Sequence, residues 1–406
     1  MKKSISLLLA IILLLSLPAC GSKKSDIDPV LAQRRDSAES YMRSMLSVLW
    51  SPEEDIFYTF ANKSNPKDAP ADKQILLKSD RVYQGLPYSY AGSTLASFLE
   101  YADEPDSNGI RAIRDLPWQA LNGSSKRARI GNDGSSSIYL AWAQIGKSFN
   151  LVSTSEMVHE RGYLHVGQYE SPVDSNKGSD QICRDNGKQT MFAAYTQLQK
   201  ADALVASLES GGHAMMAVTV NPVYAKDGTI DGQASTVTVL EQSKEYVLGE
   251  EKRYDEQLKK DVYLISGVDL VYTFQQLFEG GYLPITCKEF IDPAPLSEVQ
   301  ITDSNVNSTA DVFANGFIDC TYPIDTVTIT VTDESGNTVQ QAALRAVRGE
   351  NRNVALNRFA KDAQEGIRGF YNYQALPSGT YRCTLVCRLV NGQEFTTRDI
   401  TFEKED

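Results

Sequence analysis

The chain has 406 residues, with 42% hydrophobic and 23% charged side chains, a globular balance long enough for two to three domains. Its formal net charge is −12. A nucleic-acid interface would need a basic stripe to displace counterions, and the longest basic cluster, Lys126, Arg127 and Arg129, reads as a solvated loop, so no nucleic-acid partner is expected.

Residues 1–19 read as a lipoprotein signal peptide. Lys2 and Lys3 form its positive end, and residues 7–15 are apolar but too short to span a bilayer. Leu17-Pro18-Ala19-Cys20 resembles a bacterial lipobox, which predicts a lipid on Cys20, a short tether over 20–27 and a domain held at the extracytoplasmic face of the membrane. The plainer alternative is an ordinary signal peptide with an incidental cysteine.

Residues 28–50 predict a helix, with Met42, Met45, Leu46 and Leu49 on its apolar side, Arg34, Arg35 and Glu39 on other faces, and Ser51-Pro52 as its stop. Residues 62–72 read as a surface loop and 83–90 as an extended turn before a helix over about 93–101. A second helix is expected over 135–149, burying the stripe Ile138, Trp142, Ile145 and Phe149, with Asp133 or a following serine as its N-cap. The polar stretch 153–188 reads as a long loop, and 189–198 as an amphipathic helix.

Strands follow. Residues 213–220 are apolar on both faces and suit a central strand, 236–240 and 262–265 are β-branched runs, and 272–278 reads as a short helix. Asp292-Pro293-Ala294-Pro295 marks a domain boundary. Beyond it, Val327, Ile329 and Val331 alternate with threonines, Tyr381, Cys383, Leu385 and Cys387 share one strand face, and Asn391-Gly392 signals a hairpin. This pattern predicts an all-β immunoglobulin-like sandwich over 296–406.

The five cysteines other than Cys20 are too sparse for a disulfide framework, although Cys320 has either Cys383 or Cys387 as a possible partner and buried free thiols fit equally well. With only three histidines, His159, His165 and His213, and no metal-ligand spacing, neither a metal nor a cofactor is expected.

The chemistry concentrates at residues 131–142, Gly-Asn-Asp-Gly-Ser-Ser-Ser-Ile-Tyr-Leu-Ala-Trp. A helix N-terminus stabilises a thiolate, a histidine from a neighbouring strand takes its proton, and a third polar group orients that histidine. Here a helix begins after Asp133-Gly134, His213 opens a strand, and Glu241 or Gln242 ends the next one and is placed to orient the imidazole.

In four segments the region 28–293 resembles the NlpC-type cell-wall endopeptidase family. Asp133-Gly134-Ser135-Ser136 matches the family's Asp-Cys-Ser-Ser, Gly85-Leu86-Pro87-Tyr88 its Gly-Xaa-Pro-Tyr, and Gly212-His213 its Gly-His strand opening; Leu198-Gln199-Lys200-Ala201-Asp202 matches Leu-Xaa-Xaa-Gly-Asp more loosely. The resemblance implies an α+β, papain-like domain, with helices packed on an antiparallel sheet, that acts on peptidoglycan peptides. It assigns Gly134 to the nucleophile position and His213 with Glu241 or Gln242 to the catalytic partners. Tyr83, Tyr88, Asp133, Ser135 and Ser136 are expected to line the substrate groove.

The departure is Gly134, which has no side chain with which to attack a carbonyl. Three readings follow. The first is a degenerate peptidase that keeps its groove for binding, with helix-start amides holding a peptide carboxylate. The second has Ser135 or Ser136 standing in as nucleophile. The third is an active endopeptidase in a form carrying cysteine at position 134. A different class is a surface scaffold in which the sandwich binds a protein partner. The plainer readings are that His213 is a hydrogen-bonded core histidine, that Tyr83 and Tyr88 merely pack, that His159 and His165 face solvent in the long loop, and that Trp50, Trp118 and Trp142 are core or domain-contact residues.

Overall fold

The computed structural model describes residues 28–59, 70, 74–114, 118–121, 125–128, 130–146, 151–159, 162–346, 351–360 and 367–405. The signal peptide, the tether and Cys20 lie outside the described residues, as do most of the 62–72 loop, Arg129, Phe149 and the side chain of Trp118. Among the described residues no helix is long and apolar enough to cross a membrane. The fold is α+β, with several sheets that pair mostly antiparallel.

The first helix spans Pro29–Ser47. Asp28 caps it by accepting from Val30 N, proline occupies its first turn where no amide donor is needed, and Ala38, Met42, Met45 and Leu46 are buried. It stops before the expected Ser51-Pro52, because Val48 turns extended and the chain enters a strand, Leu49–Pro52, at once. Arg34 and Arg35, on the other faces of this helix, are buried as well. Burial is tolerated because the terminal guanidinium nitrogens of both meet acceptors, although Arg35 Nε is buried without a partner among the described residues. Arg34 donates to the carbonyls of Glu289, Asp292 and Ala294 (2.9, 2.7 and 2.6 Å), and Arg35 to Lys200 O, Asp202 Oδ1 and Phe290 O (2.6, 2.8 and 3.2 Å).

The central sheet has six strands in the order Ser266–Thr273, Thr236–Gln242, Gly211–Asn221, Ala203–Leu208, Leu283–Cys287 and Tyr163–His165, all antiparallel. The expected 213–220 strand is central, and it is buried on both faces over 214–217 before alternating. The Gly134–Trp142 helix packs on the Gly211–Asn221 and Thr236–Gln242 strands, with the Pro29–Ser47 helix also against it. Enclosed in this way, every one of its nine residues is buried, not a single stripe. It also ends at Trp142, short of the expected 149, and there the indole Nε1 donates to Ala201 O at 2.8 Å.

Four other expectations are corrected. Residues 153–188 are not one loop but hold the Thr154–His159 helix, the Tyr163–His165 edge strand and the Ser179–Asn186 helix. His165 does not face solvent: its Nε2 lies 3.0 Å from Val158 O, its ring packs on Tyr169, and its Nδ1, like that of His159, is buried. Residues 266–273 are a strand, with helix only over Phe274–Glu279. Ser125–Ala128, which holds Lys126 and Arg127, is a strand rather than a loop. The Lys260–Leu264 strand forms as expected but joins a separate five-stranded sheet with Lys252–Asp255, Val82–Gln84, Leu49–Pro52 and Ile110–Ile113.

Beyond residue 295 a three-stranded and a five-stranded antiparallel sheet enclose a second core of Ile318, Val327, Ile329, Val331, Leu344, Val354, Cys383, Leu385 and others. Tyr381, Cys383, Leu385 and Cys387 share the buried face of the Gly379–Leu389 strand, and the hairpin at Asn391-Gly392 leads into Glu394–Lys404. Cys183, Cys287, Cys320, Cys383 and Cys387 are free and buried, which decides the open question of a Cys320 bridge in favour of thiols.

Candidate functional site

The segment before the candidate site is laced to the Gly85-Leu86-Pro87-Tyr88 stretch. Asn132 N donates to Pro87 O (2.9 Å), Ser89 N to Asn132 O (3.1 Å), and Ser89 Oγ to Ile130 O (2.8 Å). Gly131 makes this approach possible: its φ is +112°, and a Cβ there would lie 2.0 Å from Pro87 O. Two of the four matched segments therefore meet directly before the helix.

Asp133 then caps the helix. Its Oδ1 accepts from Ser136 N (2.8 Å) and from the hydroxyls of Ser135 (3.0 Å) and Ser136 (2.7 Å), while Ser136 Oγ accepts from Asp133 N (2.9 Å). This reciprocal box fixes the helix start. It also ties both serine hydroxyls to a carboxylate on their own turn and uses one of the helix-start amides.

Gly134 is the first residue of the helix, and it lies against the strand that carries His213. A Cβ built there would sit 3.4 Å from His213 Nδ1, but also 2.7 Å from Ala214 O and 3.0 Å from Ala214 N. The imidazole thus faces position 134, and the Ala214 backbone occupies the space in which a side chain would start.

Strand register explains the next pairing. Glu241 stands opposite Met215, and His213 lies two residues away on the same face, a diagonal neighbour. His213 Nε2 and Glu241 Oε2 are 2.9 Å apart. An irregularity in the pairing with Ser266–Thr273 falls between Val239 and Glu241, a local distortion of the kind that re-aims side chains.

Glu241 is almost fully buried, and two further donors reach it: the Tyr246 hydroxyl and, at 3.3 Å, the Tyr272 hydroxyl. Burial pushes its carboxyl up, but the hydrogen bonds from His213 and the two tyrosines outweigh burial and hold it below its usual range. The same burial and the facing carboxylate push Tyr272 up to about 12 and raise Tyr246 and Tyr282 further. An ionised Glu241 only accepts, so His213 Nε2 carries a hydrogen and, in the neutral ring, Nδ1 is an acceptor aimed at the helix start. The His213 side chain is 25% exposed and meets Tyr282 edge-on at 6.2 Å between ring centroids.

Asp133, Gly134, Ser135, Ser136, His213 and Glu241 therefore gather in one place, and Tyr88 stands beside them through its bridge to Asn132. Gln242 and Tyr83 do not join them. Gln242 is buried and donates to Leu86 O at 2.8 Å, so it anchors the Gly85–Tyr88 stretch instead of the imidazole. Tyr83 is 2% exposed, packs on Trp50, and accepts from Lys78 N through its hydroxyl, so it is a core residue. Trp50 and Trp142 are core residues as well. Tyr246, Tyr272 and Tyr282 belong to the site and were not expected from sequence, where nothing separates them from the other tyrosines. Among the described residues no group of three or more His, Cys, Asp or Glu side chains is arranged to hold a metal ion.

No family model, no curated protein and no solved structure matches this chain.

Proposed function

We propose that this chain is a bacterial surface lipoprotein whose first domain, papain-like in arrangement and related to the NlpC-type endopeptidases, binds cell-wall peptides without hydrolysing them. On this reading Cys20 carries the lipid and the region after residue 295 is an immunoglobulin-like sandwich. The carrying observation is that His213, held through Nε2 by Glu241, turns Nδ1 toward a helix-opening residue that has no nucleophile. A neutral Nδ1 accepts a hydrogen bond from a peptide N–H, and the Gly134 position supplies nothing to attack the carbonyl. A serine substitute is disfavoured because both nearby hydroxyls donate to Asp133. A cysteine at position 134 is disfavoured because its Cβ would press on the Ala214 backbone.

Calorimetric titration of the soluble chain with purified muropeptides, paired with mass spectrometry of the same mixtures, tests this reading. Saturable binding that weakens in His213→Ala, with intact peptide recovered, supports it. Release of cleaved peptide, or no binding, overturns it.

A further inference from the structure

The Thr94-capped helix Leu95–Leu99 meets the second domain through one buried carboxylate, Asp325. Asp325 Oδ1 accepts from Thr94 Oγ1 (3.0 Å) and Ser97 Oγ (2.9 Å), and its Oδ2 accepts from Arg388 Nε (3.0 Å) and Nη2 (2.8 Å). Arg388 Nη2 also reaches Glu100 Oε1 at 2.6 Å, so opposite charges from the two domains interleave across the contact. Around it, Asn351 donates to the Tyr139 hydroxyl on the Gly134–Trp142 helix, and Gln144 donates to Val390 O at 3.1 Å. The cavity left between Ala91, Tyr139, Ile324 and Val390 is only about 10 Å³.

The residue before Thr94 continues this chain of contacts to the candidate site. Ser93 Oγ accepts from Gly131 N (2.8 Å), Ser93 N donates to Gly131 O (3.1 Å), and Ser93 O accepts from Asn132 Nδ2 (2.9 Å). Asn132 is followed by the capping Asp133 and by Gly134. Every link from Asp325 to Gly134 is a hydrogen bond between buried groups or a peptide bond, and a buried polar group that loses its partner is left unsatisfied at a cost, so the links hold one another in place.

We infer that Asp325 is a positioning residue: the second domain fixes the start of the Gly134–Trp142 helix, and so the place that faces His213, through Asp325, Thr94, Ser93 and Asn132. The C-terminal domain is then part of the site's framework rather than an independent module. This inference goes beyond the peptide-binding reading and does not depend on what the site binds.

Amide hydrogen exchange on the full chain tests it without a ligand. In Asp325→Ala, amides of 94–98 and 130–136 are expected to exchange at least about tenfold faster, while those of 203–208 keep their rates, as local opening requires. Asp325→Asn, which keeps the shape, is the second variant and should raise the same amides less. The side-chain ¹⁵N resonances of His213 should shift in both, which a contact acting on overall stability alone would not produce. An unchanged rate at 130–136 in both variants, a uniform rise over the whole chain, or an unmoved His213 signal overturns the inference.

Discussion

Gly134 and Ala214 pack backbone to backbone: the position a Cβ would take on Gly134 lies 2.7 Å from the Ala214 carbonyl oxygen. The nearest atoms belong to a central strand of the sheet and not to the end of a flexible side chain, so a larger residue must push the helix and the strand apart. Overpacking of this kind costs about 1–3 kcal/mol. Gly134→Ala should therefore lower the free energy of unfolding in urea by that amount, with the denaturant slope unchanged. Equal stability would mean that the contact is loose.

Gly134→Cys carries a second expectation. A thiol at the helix start beside His213 should titrate below the free value of about 8.5. Alkylation rates measured from pH 5 to 10 give this pKa directly, and a midpoint at or above the free value would show that the imidazole and helix start do not act on position 134.

The Glu241 carboxyl sits below its ordinary range, so it binds protons less readily folded than unfolded. Its contribution is fully present above the unfolded pKa, about 4.3, and is lost as pH falls through the lower folded value. Glu241→Gln should cost about 1.5–3 kcal/mol near neutral pH, the range for hydrogen bonds to a charged group. The gap between variant and wild type should narrow below about pH 4.3, and unfolding curves between pH 3 and 7 would show it. A gap independent of pH would contradict the assignment.

Arg35 and Asp202 form an ion pair at 2.8 Å with both side chains nearly fully buried. Removing one partner leaves the other charge without compensation, at a cost of about 3–5 kcal/mol. Asp202→Ala should show this loss in thermal or urea unfolding, and a loss under about 1 kcal/mol would place the pair in a wetter setting than its burial indicates.

The five buried thiols of the described residues are predicted to be silent in the folded protein. Burial pushes Cys183, Cys383 and Cys387 up to about 12 and Cys287 well above its usual value. Reaction with a thiol reagent at pH 8 should therefore be slow and should track unfolding, and stoichiometric fast labelling would contradict it.

Much of the site was legible in the sequence because its parts carry local signals. Asp133 or a following serine read as the cap, whereas the turn at Gly131 that brings in Pro87 shows only in the structure. Glu241 or Gln242 was expected to end the strand after the one His213 opens, and the register selects Glu241. The tyrosines around Glu241 were not legible, since their role depends on register and on the irregularity after Val239. The burial of Arg34 and Arg35 was not legible, because helical periodicity ranks charge as exposed, whereas here each guanidinium meets acceptors far along the chain. The strands between residues 49 and 128 run only three or four residues, too short for an alternation pattern, and most are stabilised by partners far along the chain. The Gly134–Trp142 helix was drawn too long because its apolar spacing continues to Ile145 after the helix itself has ended.

The most direct test follows the histidine ring resonances of the full chain while a muropeptide is added. Peptide binding at the His213–Gly134 site should shift the His213 signals, leave those of His159 and His165 in place, and give no cleavage product during the titration. Saturable binding with the His213 signals unmoved would put the peptide elsewhere and contradict the account.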